Sequence, residues 1–305
     1  MTKHYLNTCV LGSGIKIGPI SVMIYAPAGE IDVIREISDL YEVYPKELDT
    51  SLSDVTVSLQ YTDLFRSFFG RNLSAHVNGQ VPFRDIDPRL VVPGLESSIN
   101  WFVGTSITRF ILLHSAVVER NGKALLLAGP SGAGKSTLCA ALITRGWRLL
   151  SDEAAMIRPD DGLIQPYPRP ICLKNASIDL IAEAVPDAHI SKRYEGTTKG
   201  TVAFMRAPLE AIDQAEEAAR PGAVVFLRYS PMGRVALEPV EKAPAFMALV
   251  DQSANYATML EKGFDTLAGL VEACDHYNLF YRSLDDALGM IEQLEPAAGR
   301  IGRVA

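Results

Sequence analysis

Gly129-Pro130-Ser131-Gly132-Ala133-Gly134-Lys135-Ser136 fits the pattern G-x-x-x-x-G-K-S/T. Four fixed positions at this spacing arise by chance in well under about 1 in 100 chains of this length, so the match reads as a phosphate loop. Its context agrees. Lys123–Ala128 before it has the apolar content of a buried strand, and Lys135–Thr144 after it reads as a helix, with Leu138, Leu142 and Ile143 on one side and Gly146 just past the end. In such a loop the backbone N–H groups of Gly129, Ser131, Gly132, Ala133 and Gly134, with Lys135, Ser136 and Thr137 at the helix start, converge on phosphate oxygens. Lys135 neutralises β/γ charge and Ser136 offers its hydroxyl to Mg²⁺. The ligand read from this stretch is ATP with Mg²⁺.

Trp147–Leu150, downstream of the helix, is a short apolar strand that ends in Ser151-Asp152-Glu153. If the two strands and the helix form a parallel β-α-β unit, both strand ends lie on one sheet edge, where ligands bind. The loop and Asp152-Glu153 then meet across the phosphates. Asp152 either accepts a hydroxyl proton or holds magnesium. Upstream, Phe110–Val118 reads as a strand, joined to Lys123–Ala128 by the turn Arg120-Asn121-Gly122, and carries His114 fifteen positions before Gly129. On its own, a lone His is as readily a satisfied core or surface residue.

Further out the chemistry thins. Residues 1–100 read as a smaller α+β domain: strands at Ser21–Tyr25 and Val55–Tyr61, a hairpin of Leu73–Val77 and Val81–Phe83 about Asn78-Gly79, and a helix with Ile31, Ile34, Ile37, Leu40 and Tyr41 at its spacing. Asp87-Pro88 opens a linking helix through Trp101 and Phe102, with the boundary near residue 100, so that 101–305 form the phosphate-loop domain. The C-terminal third reads as scaffold. It holds a strand at Gly222–Tyr229, core positions Met247, Leu249, Tyr256, Met259 and Leu260, and a capping box at Ser283-Leu284-Asp285-Asp286 that opens a helix through Leu294. Cys274-Asp275-His276 is too tightly spaced, and too short of partners, for a metal or triad site. The tail after Pro296 reads as frayed.

Composition narrows the class. The 305 residues carry 29 Lys and Arg against 36 Asp and Glu, a net charge of −7, and 48% are hydrophobic. That supplies a sizeable core and argues against a broad nucleic-acid surface, which needs clustered cations. Cys9, Cys139, Cys172 and Cys274 form no C-x-x-C pair and read as reduced, mostly buried thiols. Met1–Tyr5 lacks a secretory apolar region and no run approaches a spanning helix, so the expected location is cytoplasmic, away from the membrane.

Taken together, His114-Ser115, the loop fifteen residues on, and Arg145-Gly146-Trp147-Arg148-Leu149-Leu150-Ser151-Asp152-Glu153 resemble the catalytic domain of the HPr kinase/phosphorylase family, and within it the HPr kinase-related kinases. That family reads His-Gly, then G-x-S-G-x-G-K-S, then R-G-H-R-L-x-A-D-D at the same spacings. The resemblance implies an α/β P-loop kinase core, similar also to ATP-dependent phosphoenolpyruvate carboxykinases. It implies Asp152 as the base that takes a serine proton, His114 beside it, Glu153 close to the metal, a protein or peptide substrate, and a homo-oligomer, since the family often forms rings. Phosphorylation of a small molecule such as free serine, or a nucleotide-gated binding module, are the alternatives.

Three departures stand out. The family's Glu-Ile-Arg-Gly segment has no matching Glu in Arg169–Leu180, where Arg169 and Lys174 become candidates to contact phosphate or an acidic substrate. The family's mobile substrate loop corresponds to Ser191–Gly200, with Lys192, Arg193, Thr197, Thr198 and Lys199, a composition that suits a lid over phosphate. The first 100 residues show little of the family's own N-terminal domain.

Overall fold

A computed structural model describes residues 8–10, 14–47, 53–62 and 72–294 of this α/β protein. Its first part is a seven-stranded sheet of β1 (Thr8–Val10), β2 (Gly14–Ile17), β3 (Ile20–Pro27), β4 (Lys46–Glu47), β5 (Val55–Tyr61), β6 (Leu73–Val77) and β7 (Gln80–Ile86). The order is β4-β2-β3-β5-β6-β7, with β1 also on β3. Only β3 and β5 pair in parallel, and α1 (Ile31–Leu40) makes the crossover. Asn78 and Gly79 take φ of 46° and 85°, the left-handed pair that a two-residue hairpin between twisted strands requires. On α1 the buried side chains are Val33, Ile37 and Leu40, whereas Ile31, read above as part of that face, is 62% exposed at the helix start.

Next comes α2 (Val91–Ser106), which buries Leu95, Ile99, Phe102 and Val103. Each such side chain contributes about 1.5–3 kcal/mol when removed from water. Residue 100 lies inside this helix, and one apolar cluster runs without a break from Ile24 and Leu59 through Leu95 to Leu112, Val118 and Leu138. The helix read as linking the two parts forms, opened by the Pro88–Leu90 turn that Asp87 caps, and the apolar cluster continues across it.

The central sheet has the order β11-β9-β10-β17-β19-β18, from β9 (Ser115–Arg120), β10 (Lys123–Ala128), β11 (Arg148–Ser151), β17 (Arg220–Tyr229), β18 (Ala236–Pro239) and β19 (Asp275–Tyr281). β10, β17 and β19 are parallel. Both β10 and β11 run antiparallel to β9, hence parallel to each other. The β-α-β direction read from the sequence therefore holds, but β9 is inserted between its two strands. One face is covered by α3 (Lys135–Ile143) and α8 (Leu284–Ile291), the other by α6 (Lys242–Gln252) and α7 (Tyr256–Ala273).

Two three-stranded sheets flank this core. One joins β8 (Ile111–Leu113), β12 (Ala155–Ile157) and β13 (Ile164–Gln165); the other joins β14 (Ile171–Lys174), β15 (Tyr194–Thr197) and β16 (Gly200–Met205). The single strand read over Phe110–Val118 is thus two strands in different sheets, broken at His114. Helices α4 (Ala176–Ala184) and α5 (Leu209–Asp213) complete the order.

In α8, Ser283 accepts from the Asp286 N–H at 3.1 Å, so the cap forms as read, though the helix stops at Ile291. Met247 and Leu260, read as core, are 60% and 75% exposed, and Leu260 kinks α7 with φ of 51°. Cys139, Cys172 and Cys274 are free thiols. Met1–Tyr5 and the tail after Pro296 lie outside the described residues. Among those described, no helix is long and apolar enough to cross a membrane.

Candidate active site

Strand direction brings the site together. Gly129 follows β10, Asp152 follows β11, and His114 precedes β9, so all three lie at one edge of the central sheet. The loop there is held in shape from below. Gly134 caps α3 with φ of 89°, and its missing side chain leaves room for the Tyr281 hydroxyl, which donates to the Ala133 carbonyl. A Cβ at Gly134 would overlap that oxygen.

Lys135 is buried, and its ammonium donates to the carbonyls of Gly129 at 2.6 Å and Pro130 at 3.1 Å. Burial, and then Lys174, bring its pKa down to about 8, against the opposing pull of Asp152 and Glu153. Ser136 and Thr137 occupy the first turn of α3, where unpaired N–H groups and the helix dipole favour an anion.

Asp152 is 4% exposed. Its Oδ2 accepts from the Cys172 N–H on β14 at 3.0 Å. Oδ1 has no hydrogen-bond partner among the described residues, although the Ser136 hydroxyl is close enough to hold the carboxyl's pKa down somewhat. Burial and the neighbouring Glu153 outweigh these and raise the pKa to about 6.

At Glu153, burial works to raise the pKa, but Lys199, Arg169, Lys174 and His114 together keep it below the ordinary value. Its Oε2 accepts from Asn100 Nδ2 at 2.6 Å and its Oε1 faces Lys199 at 3.7 Å. His114, read from the resemblance as the partner of Asp152, is drawn to Glu153 instead. Burial, and then Lys135, lower its pKa, while the charge and the backbone of Glu153 oppose the shift.

The remaining cations divide. Lys174, half-buried on β14, acts electrostatically on Lys135, Asp152 and Glu153 and has no hydrogen-bond or ion-pair partner for its ammonium among the described residues. Arg169, 5% exposed, is committed elsewhere: its guanidinium donates to Glu96 Oε2, to the Glu96 carbonyl at 3.2 Å and to Asn100 Oδ1. This fork is spent on a buried ion pair and is not offered to a phosphate. The segment Ser191–Gly200 forms the β15–β16 hairpin, paired to β14 and tied by Asn175, whose Oδ1 accepts from the Thr201 N–H at 3.1 Å. Lys199 sits at its turn.

A small cleft of about 70 Å³, open to solvent, lies beside Asp152 and is lined by no residue of the loop. Its walls include Ser97 and Asn100 of α2, Glu153, Thr198 and Lys199 of the hairpin, and Phe204. Asn100, Glu96 and Ser97 are the site residues that motif reading missed. Their signal is polarity out of place: Glu96 and Asn100 stand one turn apart on a helix whose buried positions are otherwise apolar except for Ser98, and Glu96 is only 4% exposed.

Among the described residues, no group of three or more His, Cys, Asp or Glu side chains could hold a metal ion. The chemistry here fits a hard cation differently. The orphaned buried oxygen of Asp152 marks a place shaped for a bound group, and the Ser136 hydroxyl near it with the neighbouring acid Glu153 gives one or two protein ligands, which is what Mg²⁺ takes when phosphates and water complete its shell.

Residues 95–171 match the family described as SynChlorMet cassette protein ScmC. The chain is 36% identical to the HPr kinase/phosphorylase of Clostridium botulinum (strain Eklund 17B / Type B) over 74 residues, 24% of either chain. It is 34% identical to that of Exiguobacterium sp. over 68 residues, 22% of either, and 44% identical to that of Clostridium beijerinckii over 50 residues, 16% of this chain and 17% of that one. Over these stretches the chain is HPr kinase-like. The matches span about a quarter or less of these relatives' length. The solved HPr(Ser) kinase/phosphatase from Coxiella burnetii aligns over 59% of this chain and 90% of its own, at 12% identity and a TM-score of 0.28, too low to compare the two folds in detail.

Proposed function

We propose that this HPr kinase-like protein is an ATP- and Mg²⁺-dependent kinase that transfers the γ-phosphoryl group to a hydroxyl, that of a serine in a protein or peptide. The observation that carries the reading is Asp152: a buried carboxylate with one oxygen anchored and the other unpartnered, between the phosphate loop and an open cleft. The names of the relatives support kinase chemistry on a protein.

The residues divide the work as phosphoryl transfer requires, by positioning and charge neutralisation. The loop N–H groups and the start of α3 hold the β- and γ-phosphates. Lys135 turns from the Gly129 and Pro130 carbonyls to the phosphate oxygens, and binding there favours its protonated form. Mg²⁺ would be held by Ser136 with Glu153 and would supply charge neutralisation for the phosphates, which leaves Asp152 as the base. The acceptor hydroxyl enters from the cleft. As its oxygen bonds to the γ-phosphorus and the bond to the β-phosphate oxygen breaks, its proton passes to Asp152 Oδ1. Lys174 and Lys199 offset the negative charge on the cleft side, and His114 steadies the Glu153 backbone.

Incubation of the protein with Mg-ATP and candidate acceptor peptides, read by mass spectrometry, tests this. Asp152→Asn should keep nucleotide binding and lose transfer; undiminished transfer would show that Asp152 is not the base. Phosphorylation of free serine with no modified peptide would move the acceptor class to small molecules. ATP bound tightly without turnover would leave a nucleotide-gated binding module.

A further inference from the structure

Glu153 is held by a chain of contacts that starts far from the phosphate loop. The Tyr41 hydroxyl, at the C-terminal end of α1, donates to Glu96 Oε1. Glu96 Oε2 accepts from Arg169, Arg169 donates in turn to Asn100 Oδ1, and Asn100 Nδ2 donates to Glu153 Oε2 at 2.6 Å. Glu96 and Asn100 lie four residues apart and so share one face of α2.

The chemistry of the amide makes this chain directional. Asn100 has one accepting and one donating end. Were it flipped, its NH₂ would meet the Arg169 N–H groups and its carbonyl would meet the Glu153 carboxylate, two repulsions in place of two bonds. Arg169, itself fixed by the buried Glu96, therefore sets the amide, and the amide sets the carboxylate. The other hold on Glu153, from Lys199, is longer at 3.7 Å and comes from a side chain 48% exposed, which makes it weak.

We infer that Asn100 is a positioning residue that orients Glu153 toward the cation, so that α2, from the part of the chain without a catalytic motif, helps to build the metal side of the site. This rests on the reading of Glu153 as a cation-side acid under the proposed function. Contacts of this kind, one step behind a metal ligand, typically change affinity 10- to 100-fold.

The test is a double-mutant cycle on the full chain, read as Mn²⁺ affinity by electron paramagnetic resonance with a non-hydrolysable ATP analogue bound. Metal-free analogue binding and the melting temperature serve as controls for folding. Asn100→Ala should weaken Mn²⁺ binding about tenfold and leave metal-free analogue binding unchanged, with a modest fall in melting temperature because Arg169 loses an acceptor. Glu153→Gln should weaken it as well, and adding Asn100→Ala to Glu153→Gln should cause no further loss, since the amide acts only through that carboxylate. Losses that multiply, or an Asn100→Ala protein with unchanged Mn²⁺ affinity beside a weakened Glu153→Gln, overturn the inference alone. Unchanged affinity in Glu153→Gln overturns the metal role of Glu153 itself.

Discussion

The backbone N–H of Cys172 donates to Asp152 Oδ2 at 3.0 Å, and no described residue reaches Oδ1. One oxygen is thereby fixed by a strand that does not depend on ligand, while the other is kept available in a place water scarcely enters. The arrangement is unfavourable for the fold and useful for proton transfer, because burial beside Glu153 raises the carboxyl's pKa to about 6.

That shift has a sign that can be checked. A raised folded-state pKa means that the folded protein binds this proton more tightly than the unfolded chain does. Well below pH 4 Asp152 is protonated in both states and has no effect; between about pH 4 and 6 the unfolded chain gives up this proton and the folded protein keeps it, so stability falls across that window and is level above it. The difference from the ordinary 3.8 corresponds to about 3 kcal/mol at pH 8. Asp152→Asn should therefore raise the melting temperature at pH 8 and leave it unchanged at pH 4, while transfer falls by roughly 10²–10⁴. Equal melting shifts at both pH values would refute the buried-charge account.

Lys135 gives a second pH dependence, in nucleotide affinity and at higher pH. Its pKa in the free protein is lowered to about 8, chiefly by burial, and its protonated form is the one that binds phosphate. ATP affinity measured by calorimetry should be flat up to about pH 8 and weaken above it. Lys135→Met should remove the dependence and lower affinity by roughly 10- to 100-fold, the worth of a charge-assisted hydrogen bond of about 1.5–3 kcal/mol.

How much of this was legible in the sequence follows from the range of the forces involved. The loop at Gly129–Ser136, the strand on each side of its helix and the hairpin at Asn78-Gly79 are set by local backbone chemistry, and each forms where the sequence places it. The insertion of β9 between β10 and β11 is a choice among strand partners, which no local pattern encodes. Arg169 shows the same limit for a side chain. Its sequence neighbourhood suggested a phosphate contact, but the partners that claim it, Glu96 and Asn100, are some 70 residues away and become visible only when the segment around Arg169 folds against α2. His114 stands out by motif spacing, yet its electrostatic neighbours are Lys135 and Glu153, which only the folded chain brings to it across the one-residue break between β8 and β9.

Gly134 tests whether the loop shape depends on its packing from below. The position needs φ of 89°, which costs a residue with a Cβ roughly 1–2 kcal/mol, and the Cβ would also displace the Tyr281 hydroxyl from Ala133. Gly134→Ala should abolish ATP binding with only a modest loss of stability. Adding Tyr281→Phe relieves the overlap but not the backbone strain, so calorimetry should show partial recovery; full recovery would mean that the conformation itself is not required.

The last prediction concerns the ion pair on which the α2 side of the site rests. Arg169 and Glu96 are 5% and 4% exposed, so neither charge has water to fall back on if the other is removed. Arg169→Met would strand the Glu96 carboxylate among Tyr41, Tyr44 and α2, and should destabilise the protein by about 3–5 kcal/mol in denaturant unfolding. Replacing both partners removes the stranded charge along with its mate. The double variant Arg169→Met/Glu96→Leu should therefore recover most of the stability, because an apolar pair of similar volume often matches a buried ion pair. It should not recover Mn²⁺ affinity, since the Asn100 amide would no longer have Arg169 to set it. Recovery of stability and metal affinity together would mean that the network is scaffold only; loss of both would mean that the ion pair is worth more to the fold than the burial of its charges suggests.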